Sequence, residues 1–368
     1  MTAITHVYLD WNATTPPLEA VVDVMAETAR QAWGNPASVH GSGRRARDVV
    51  ETAREEVALL VGASARDVIF TSGGTEANNL ALHRAPALVT SWLEHPSVTR
   101  VAEALEGEGR PVRWLPVPAS GCLSPEALGE ALRGLPAGTV VAVAAANHET
   151  GVVQPLEALA EVATRAGARL HVDAVQTVGK LPAGILEVAD TLSVAAHKIR
   201  GPKGIGALVH RPERAPKPLL LGGSQERGRR PGTVDPVAAA GFRVAAAWAR
   251  SSVSERERLR ELRDRIEAEL LLKGAAVNGG DAVRLAHITN VSFPGHAGDE
   301  LVAALDLWGV AVSSGSACSA GTTEPSKIIS AMLGVERARG AVRVSLGDAT
   351  TGPEVEFALR AFERVLHA

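Results

Sequence analysis

The stretch Val140-Val-Ala-Val-Ala-Ala-Ala146 is apolar at every position. A half-exposed strand alternates polar and apolar side chains, so a run without alternation must be covered on both faces, as a central parallel strand is. It stops at Asn147-His-Glu149, and the segment from Pro155 to Ala166 that follows has a helical pattern. The same plan recurs along the chain. Asp67 to Ser72 leads through Gly73-Gly74 into a helical stretch from Thr75 to Leu82, and Ala87 to Ser91 leads through Glu94-His95-Pro96 into another. Arg169 to Val172 runs into Asp173, and the run from Leu192 stops at His197-Lys198 before a turn built on Gly201, Pro202 and Gly204. Alternating strand and helix patterns predict an α/β domain around a mostly parallel sheet.

Ligands of open α/β sheets bind beyond the carboxyl ends of the strands. Thr75, His95, Asn147, Asp173, Gln176 and Lys198 all fall there, so together they predict one site. A lysine in a turn is ordinarily a solvated surface residue. Lys198, at a strand end among other polar groups, is instead placed for Schiff-base chemistry with an aldehyde. The strand–Gly73-Gly74–helix junction offers free backbone N–H groups and a positive dipole end to an anion; a plain N-cap at Thr75 explains it equally well. It lacks the Gly-Lys-Ser/Thr ending of a nucleotide phosphate loop. Gly41-Ser-Gly43-Arg-Arg-Ala46 mimics a dinucleotide fingerprint, but Pro36 and polar residues precede it where a strand is required, and Ser42 is instead expected to cap the helix that follows.

A net charge of −3 over 368 residues gives no sign of a nucleic-acid partner. No apolar run reaches membrane-spanning length and no signal-peptide pattern opens the chain, so the expected location is cytoplasmic. The two cysteines, Cys122 and Cys318, form no disulfide framework, and no zinc-type spacing occurs, so no resident metal is expected. Arg227, Arg229 and Arg230 lie in a glycine-rich loop, Gly222 to Thr233, too long for a simple connector. Beyond it come a long helical stretch from about Pro236 to Leu272 and then an α+β pattern: strands at Ile288–Phe293, Val310–Val312 and Val342–Leu346, a helix at Gly298–Leu307 and a final amphipathic helix. The domain change is placed in the long helix, with 16–250 as a large α/β domain and 1–15 plus 251–368 as a smaller α+β domain.

With these segments lined up, the chain resembles the cysteine desulfurases of the fold-type I pyridoxal-phosphate enzymes, in the NifS- and IscS-like branch. The resemblance runs through Tyr8-Leu-Asp-Trp-Asn-Ala-Thr-Thr-Pro16, Gly34 to Ser38, Thr71-Ser-Gly-Gly-Thr-Glu-Ala-Asn78, Glu94-His95, Asn147-His-Glu-Thr-Gly151 and Asp173-Ala-Val-Gln176. It continues through His197-Lys198, Arg230-Pro-Gly-Thr233, Ser313 to Gly321 and Arg343 to Gly347. It implies that Lys198 binds pyridoxal 5'-phosphate covalently, that Asp173 pairs with the pyridine nitrogen and Gln176 with the ring hydroxyl, and that His95 stacks on the ring and takes part in proton transfers. Gly74, Thr75 and His197 would hold the phosphate at a position bordered by Ala195, with Thr233 supplied by the second subunit of a homodimer. Arg343, assisted by Asn147 and Asn12, would clamp the carboxylate of L-cysteine.

Cys318 separates this branch from relatives that share the cofactor. Set between Ser316 and Ser319 in a glycine-flanked loop, it would attack the sulfur of bound cysteine, carry a persulfide and pass sulfur to an acceptor such as an iron–sulfur scaffold or a thiolation protein. It would at most ligate an iron–sulfur cluster transiently. An aminotransferase or selenocysteine lyase on the same scaffold is the alternative, with Cys318 incidental. Cys122 has the setting of an inert small residue. Trp11, Ala195 and Asp235 depart from the family's usual residues, Ala195 where a phosphate-contacting serine is common.

Overall fold

The computed structural model describes residues 4–252, 258–314 and 324–367. Its centre is a seven-stranded sheet in the order Val68–Thr71, Gly206–His210, Thr191–Ala195, Arg169–Asp173, Val140–Ala144, Leu88–Ser91 and Val112–Leu115. Val140–Ala144 is buried at every position, as its composition requires. Gly206–His210 runs antiparallel to both neighbours, and the other pairings are parallel. The link from Ala195 to Gly206 is too short for the helical crossover a parallel strand needs, so the chain turns back beside the strand it has just left. Lys198 sits in that link.

Helices Gly41–Val61 and Pro236–Ser251 belong to the layer that covers one face, with Val50, Val57, Phe242 and Ala246 joining Val68, Val172 and Val194 in the main core. His40, not Ser42, caps Gly41–Val61, its side chain accepting from the Gly43 N–H. The described residues of the long helical stretch form two helices, Pro236–Ser251 and Arg258–Leu272.

A second core gathers Val7, Leu9, Leu259, Ile266, Val291, Val344 and Phe362. Its sheet has Ile288–Ser292 between Ala341–Ser345 and Ala276–Val277, all antiparallel, and a short parallel pair joins Val7–Tyr8 to Val310–Ala311. From there the N-terminal segment crosses to the large sheet. Asp10 bridges to Ser345, and the backbone oxygens of Asn12 and Ala13 meet Lys198. No helix among the described residues is long and apolar enough to cross a membrane, and no metal-holding group of His, Cys, Asp or Glu occurs among them.

Candidate active site

A cavity of about 760 Å³ opens beyond the carboxyl ends of the central strands. Gly74, Thr75, His95, Asp173, Gln176, Ala195, His197, Lys198, Asn12 and Arg343 all line it, drawn from across the whole chain. Each strand delivers its polar residue as it leaves the sheet, while the N-terminal crossing brings Asn12 and the small sheet brings Arg343.

The glycine junction packs closely against the sheet. A Cβ on Gly206 would lie 2.7 Å from the Gly73 Cα, and one on Gly74 would lie 2.7 Å from Val175 Cγ2, so glycine at both lets the turn pack onto the strands. Helix Gly74–Leu82 has no side-chain cap at its N-terminus. Lys198 Nζ donates to the Asn12 carbonyl and, at 3.0 Å, to that of Ala13. Burial, reinforced by Lys198, Lys203 and Lys180, brings the His197 imidazole down to about 4. Lys198, which lines the cavity, makes this corner cationic.

On the floor, Asp173 is held at both oxygens: Oδ1 accepts from the Val175 N–H at 3.0 Å and Oδ2 from Asn78 Nδ2 at 2.8 Å. Asn78 also meets Ser97 Oγ at 2.8 Å and His171 Nε2 at 3.0 Å. Burial pushes His171 down to about 4, keeping it neutral near pH 7. His95 lies beside His148, their ring centroids 5.4 Å apart. Burial lowers His95 as well; Asp173 opposes that shift and Lys198 adds to it. Glu94 is buried near Asp173, and desolvation followed by that neighbouring charge raises its carboxyl well above the usual range.

Arg343 forms the far wall and is 3% exposed. Its Nη2 donates to Asp10 Oδ1 at 2.6 Å and its Nη1 to the His148 carbonyl at 3.1 Å, while Nε is buried with no partner among the described residues. Asn12 Nδ2 donates to the same His148 carbonyl at 3.0 Å. This arrangement can take a carboxylate, since a guanidinium matches one bidentately.

Two expected residues do not reach the cavity. The Asn147 side chain is consumed by its own turn: Oδ1 accepts from the Glu149 and Thr150 N–H groups, and Nδ2 donates to the Leu93 carbonyl at 2.8 Å. Thr233 is exposed on the chain's surface and does not line the cavity. Cys318 lies outside the described residues. Ala195 is buried at the strand end, and its Cβ is 3.9 Å from where a Cβ on Gly74 would stand. Trp11 packs its ring onto Gly347, where any Cβ would collide with it, and Asp235 caps helix Pro236–Ser251 through the Val237 N–H. Asn78 and Ser97 were not singled out from the sequence. The available signal was spacing: Asn78 stands three residues past Thr75, one helical turn on.

The aminotransferase class-V family model matches residues 7–357. The chain belongs to the aminotransferase class-V family. This family works through pyridoxal phosphate. Among curated relatives, the chain is 38% identical to the cysteine desulfurase IscS of Dictyoglomus turgidum, over 98% of this chain and 94% of that protein. It is 40% identical to an IscS-like cysteine desulfurase of Mycobacterium tuberculosis, over 96% of this chain and 94% of that protein. Among solved structures, a NifS-like protein superposes with a TM-score of 0.89 at 33% identity, covering 98% of this chain and 99% of that one. A NifS-like protein from Rickettsia africae gives 0.90 at 28% identity, covering 99% and 100%. The class-V site fits its family's cofactor. It has a lysine at a strand end, a carboxylate held at both oxygens, an uncapped helix N-terminus behind a glycine that no Cβ could replace without a shift, and a cationic corner.

Proposed function

We propose that the protein is a pyridoxal-phosphate-dependent cysteine desulfurase that converts L-cysteine to L-alanine and passes the sulfur through Cys318 to an acceptor protein. The observation that carries this is the convergence of Lys198, Asp173, His95 and Arg343 on one cavity. The names of the full-length relatives support the choice of substrate. Bound pyridoxal phosphate supplies the electron sink that makes the substrate's α-carbon acidic and labilises its β-carbon–sulfur bond.

The chain's own groups do the rest. Lys198 would hold the cofactor through its aldehyde carbon, and its amine would move the substrate's α-proton. Asp173, its two oxygens held by Val175 and Asn78, would keep the ring nitrogen protonated. The Gly74 and Thr75 N–H groups and the cationic corner would receive the phosphate. Arg343 binds the substrate carboxylate, oriented by Asp10. The Cys318 thiolate attacks the substrate sulfur: the new sulfur–sulfur bond forms as the carbon–sulfur bond breaks, and that bond's electron pair stays with the carbon that becomes the alanine methyl group. Thr233 would serve the site of a second subunit in a homodimer, a reading that its exposure on the single chain supports. The acceptor is an iron–sulfur scaffold or a thiolation carrier.

The test is to incubate the cofactor-loaded protein with L-cysteine and a thiol reductant and to measure alanine and sulfide in parallel. Equimolar products are expected. Cys318→Ser should keep the bound cofactor's absorbance and lose sulfur transfer, since a hydroxyl is a far poorer nucleophile toward sulfur. Wild-type rates in that variant would move the assignment to a lyase, and no alanine from the wild type would overturn it.

A further inference from the structure

Asn78 joins two functional groups that lie far apart in sequence, and the donors around it leave one protonation pattern. Its Nδ2 stands 2.8 Å from Asp173 Oδ2 and 2.8 Å from Ser97 Oγ. The flipped amide would set Oδ1 against a carboxylate oxygen, so Nδ2 faces Asp173 and donates to both neighbours. Oδ1 therefore accepts from His171 Nε2 at 3.0 Å, and His171 Nδ1 meets Thr191 Oγ1 at 2.9 Å.

Ser97 Oγ, having accepted from Asn78, directs its own proton to His95 Nδ1 at 2.8 Å. The same ring nitrogen takes the Ser97 backbone N–H at 3.1 Å, because His95 is the N-cap of helix Pro96–Gly107. A backbone amide can only donate, so Nδ1 carries no proton. In the neutral ring the proton then resides on Nε2.

We propose that Asn78 and Ser97 are positioning residues that hold His95 as its Nε2–H tautomer and tie its orientation to that of Asp173. His95 thus meets the reacting groups as a hydrogen-bond donor through Nε2. To take up a proton it must do so at Nδ1, which breaks the helix cap and requires the Ser97 hydroxyl to turn away. Burial and Lys198 oppose that uptake, Asp173 favours it, and His148 packs against the ring as a further titratable neighbour. The tautomer follows from the hydrogen bonds alone; its use in catalysis rests on the desulfurase reading.

The experiment is nitrogen-15 NMR of the holoenzyme labelled at histidine, using long-range proton–nitrogen correlations, with the His95 signals assigned by their loss in His95→Gln. The wild type should show a protonated, pyrrole-like Nε2 and a pyridine-like Nδ1 from pH 6 to 9. Ser97→Ala removes the hydroxyl donor while keeping the amide, so a minor Nδ1–H population should appear and the ring should titrate at higher pH. Ser97→Thr, which restores a hydroxyl, should return both signatures to wild type. For catalysis, alanine formation by Ser97→Ala should fall on the order of tenfold in kcat with KM little changed, about one hydrogen bond's worth, and recover in Ser97→Thr. A wild-type Nδ1–H signal, or a Ser97→Ala spectrum identical to wild type, overturns the tautomer assignment. The expected NMR changes with undiminished kcat would keep the tautomer and remove its catalytic role. No alanine from any variant, wild type included, would instead strike the desulfurase reading and leave the tautomer standing.

Discussion

Glu226→Ala should destabilise the protein by about 4 kcal/mol, although Glu226 lies outside the cavity. Its carboxylate and the Arg54 guanidinium meet as a buried bidentate pair, at 2.7 and 2.8 Å, with side-chain exposures of 2% and 4%. The pair holds Arg54 well above its ordinary pKa despite burial, which acts the other way. Glu226 Oε2 also takes the Phe70 N–H at 2.8 Å, so truncation strands a charge and an edge-strand donor together. Removing one partner of a buried pair costs about 3–5 kcal/mol, and an orphaned donor about 1–3 more. Two effects offset this. Arg54 keeps the Val68 carbonyl at 3.0 Å and Glu51 at 3.1 Å, and the loop at positions 226 and 227, held at φ of 46° and 57°, can relax once the pair no longer anchors it. At about 2 °C per kcal/mol in a chain of this size, thermal unfolding should fall by about 8 °C. Arg54→Met combined with Glu226→Ala should lose no more than the single variant, because no charge is then stranded. A single-variant shift under about 2 °C, or additive losses in the double variant, would refute the reasoning.

Lys198→Ala should remove the visible absorbance of the lysine-bound cofactor and abolish turnover; absorption spectra and alanine assays check both, and undiminished activity would sink the assignment of Lys198. Ala195→Ser should add one hydrogen bond to the phosphate and slow cofactor dissociation by about tenfold or less, since a water can offset part of the nominal gain. Its saturated rate should not move, because the phosphate makes the same contacts in ground and transition states. Burial holds the Glu149 carboxyl at about 7, despite the Ser326 hydroxyl and Arg343, against 4.5 in an unfolded chain. Between those values the native state binds the extra proton, so this contribution to stability is full below the unfolded value and is lost as pH rises through about 7. Melting curves from pH 5 to 8 should show that fall in the wild type and a flatter profile in Glu149→Gln; parallel profiles would remove Glu149 as its source.

The parallel core was legible because burial on both faces leaves its mark in composition, as Val140–Ala144 shows. Strand direction was not, since a fully buried run reads alike either way. What reverses Gly206–His210 is the shortness of the link before it, a constraint on connections rather than on side chains. The start of helix Gly41–Val61 was misplaced for a local reason. Ser42 has the chemistry of a cap, but a Cβ on Gly43 would lie 2.4 Å from the Ser38 carbonyl oxygen, so the chain is already tightly turned there and His40 supplies the acceptor.

For the site, the sequence shows which residues stand at strand ends but not where each side chain spends its hydrogen bonds. Asp173 and Asn147 look equivalent by position, each following a buried apolar run. Asp173 is braced by Val175 and Asn78 and still lines the cavity, whereas Asn147 spends its oxygen on a turn and its amide on Leu93. The deciding partners are remote: Asn78 lies 95 residues from Asp173, and Leu93 lies 54 from Asn147. No periodicity within one segment encodes such a pairing, because it exists only once the sheet sets the strand ends side by side. A strand-end position therefore nominates a residue, and the hydrogen-bond inventory of its folded neighbourhood decides whether that residue remains available for chemistry.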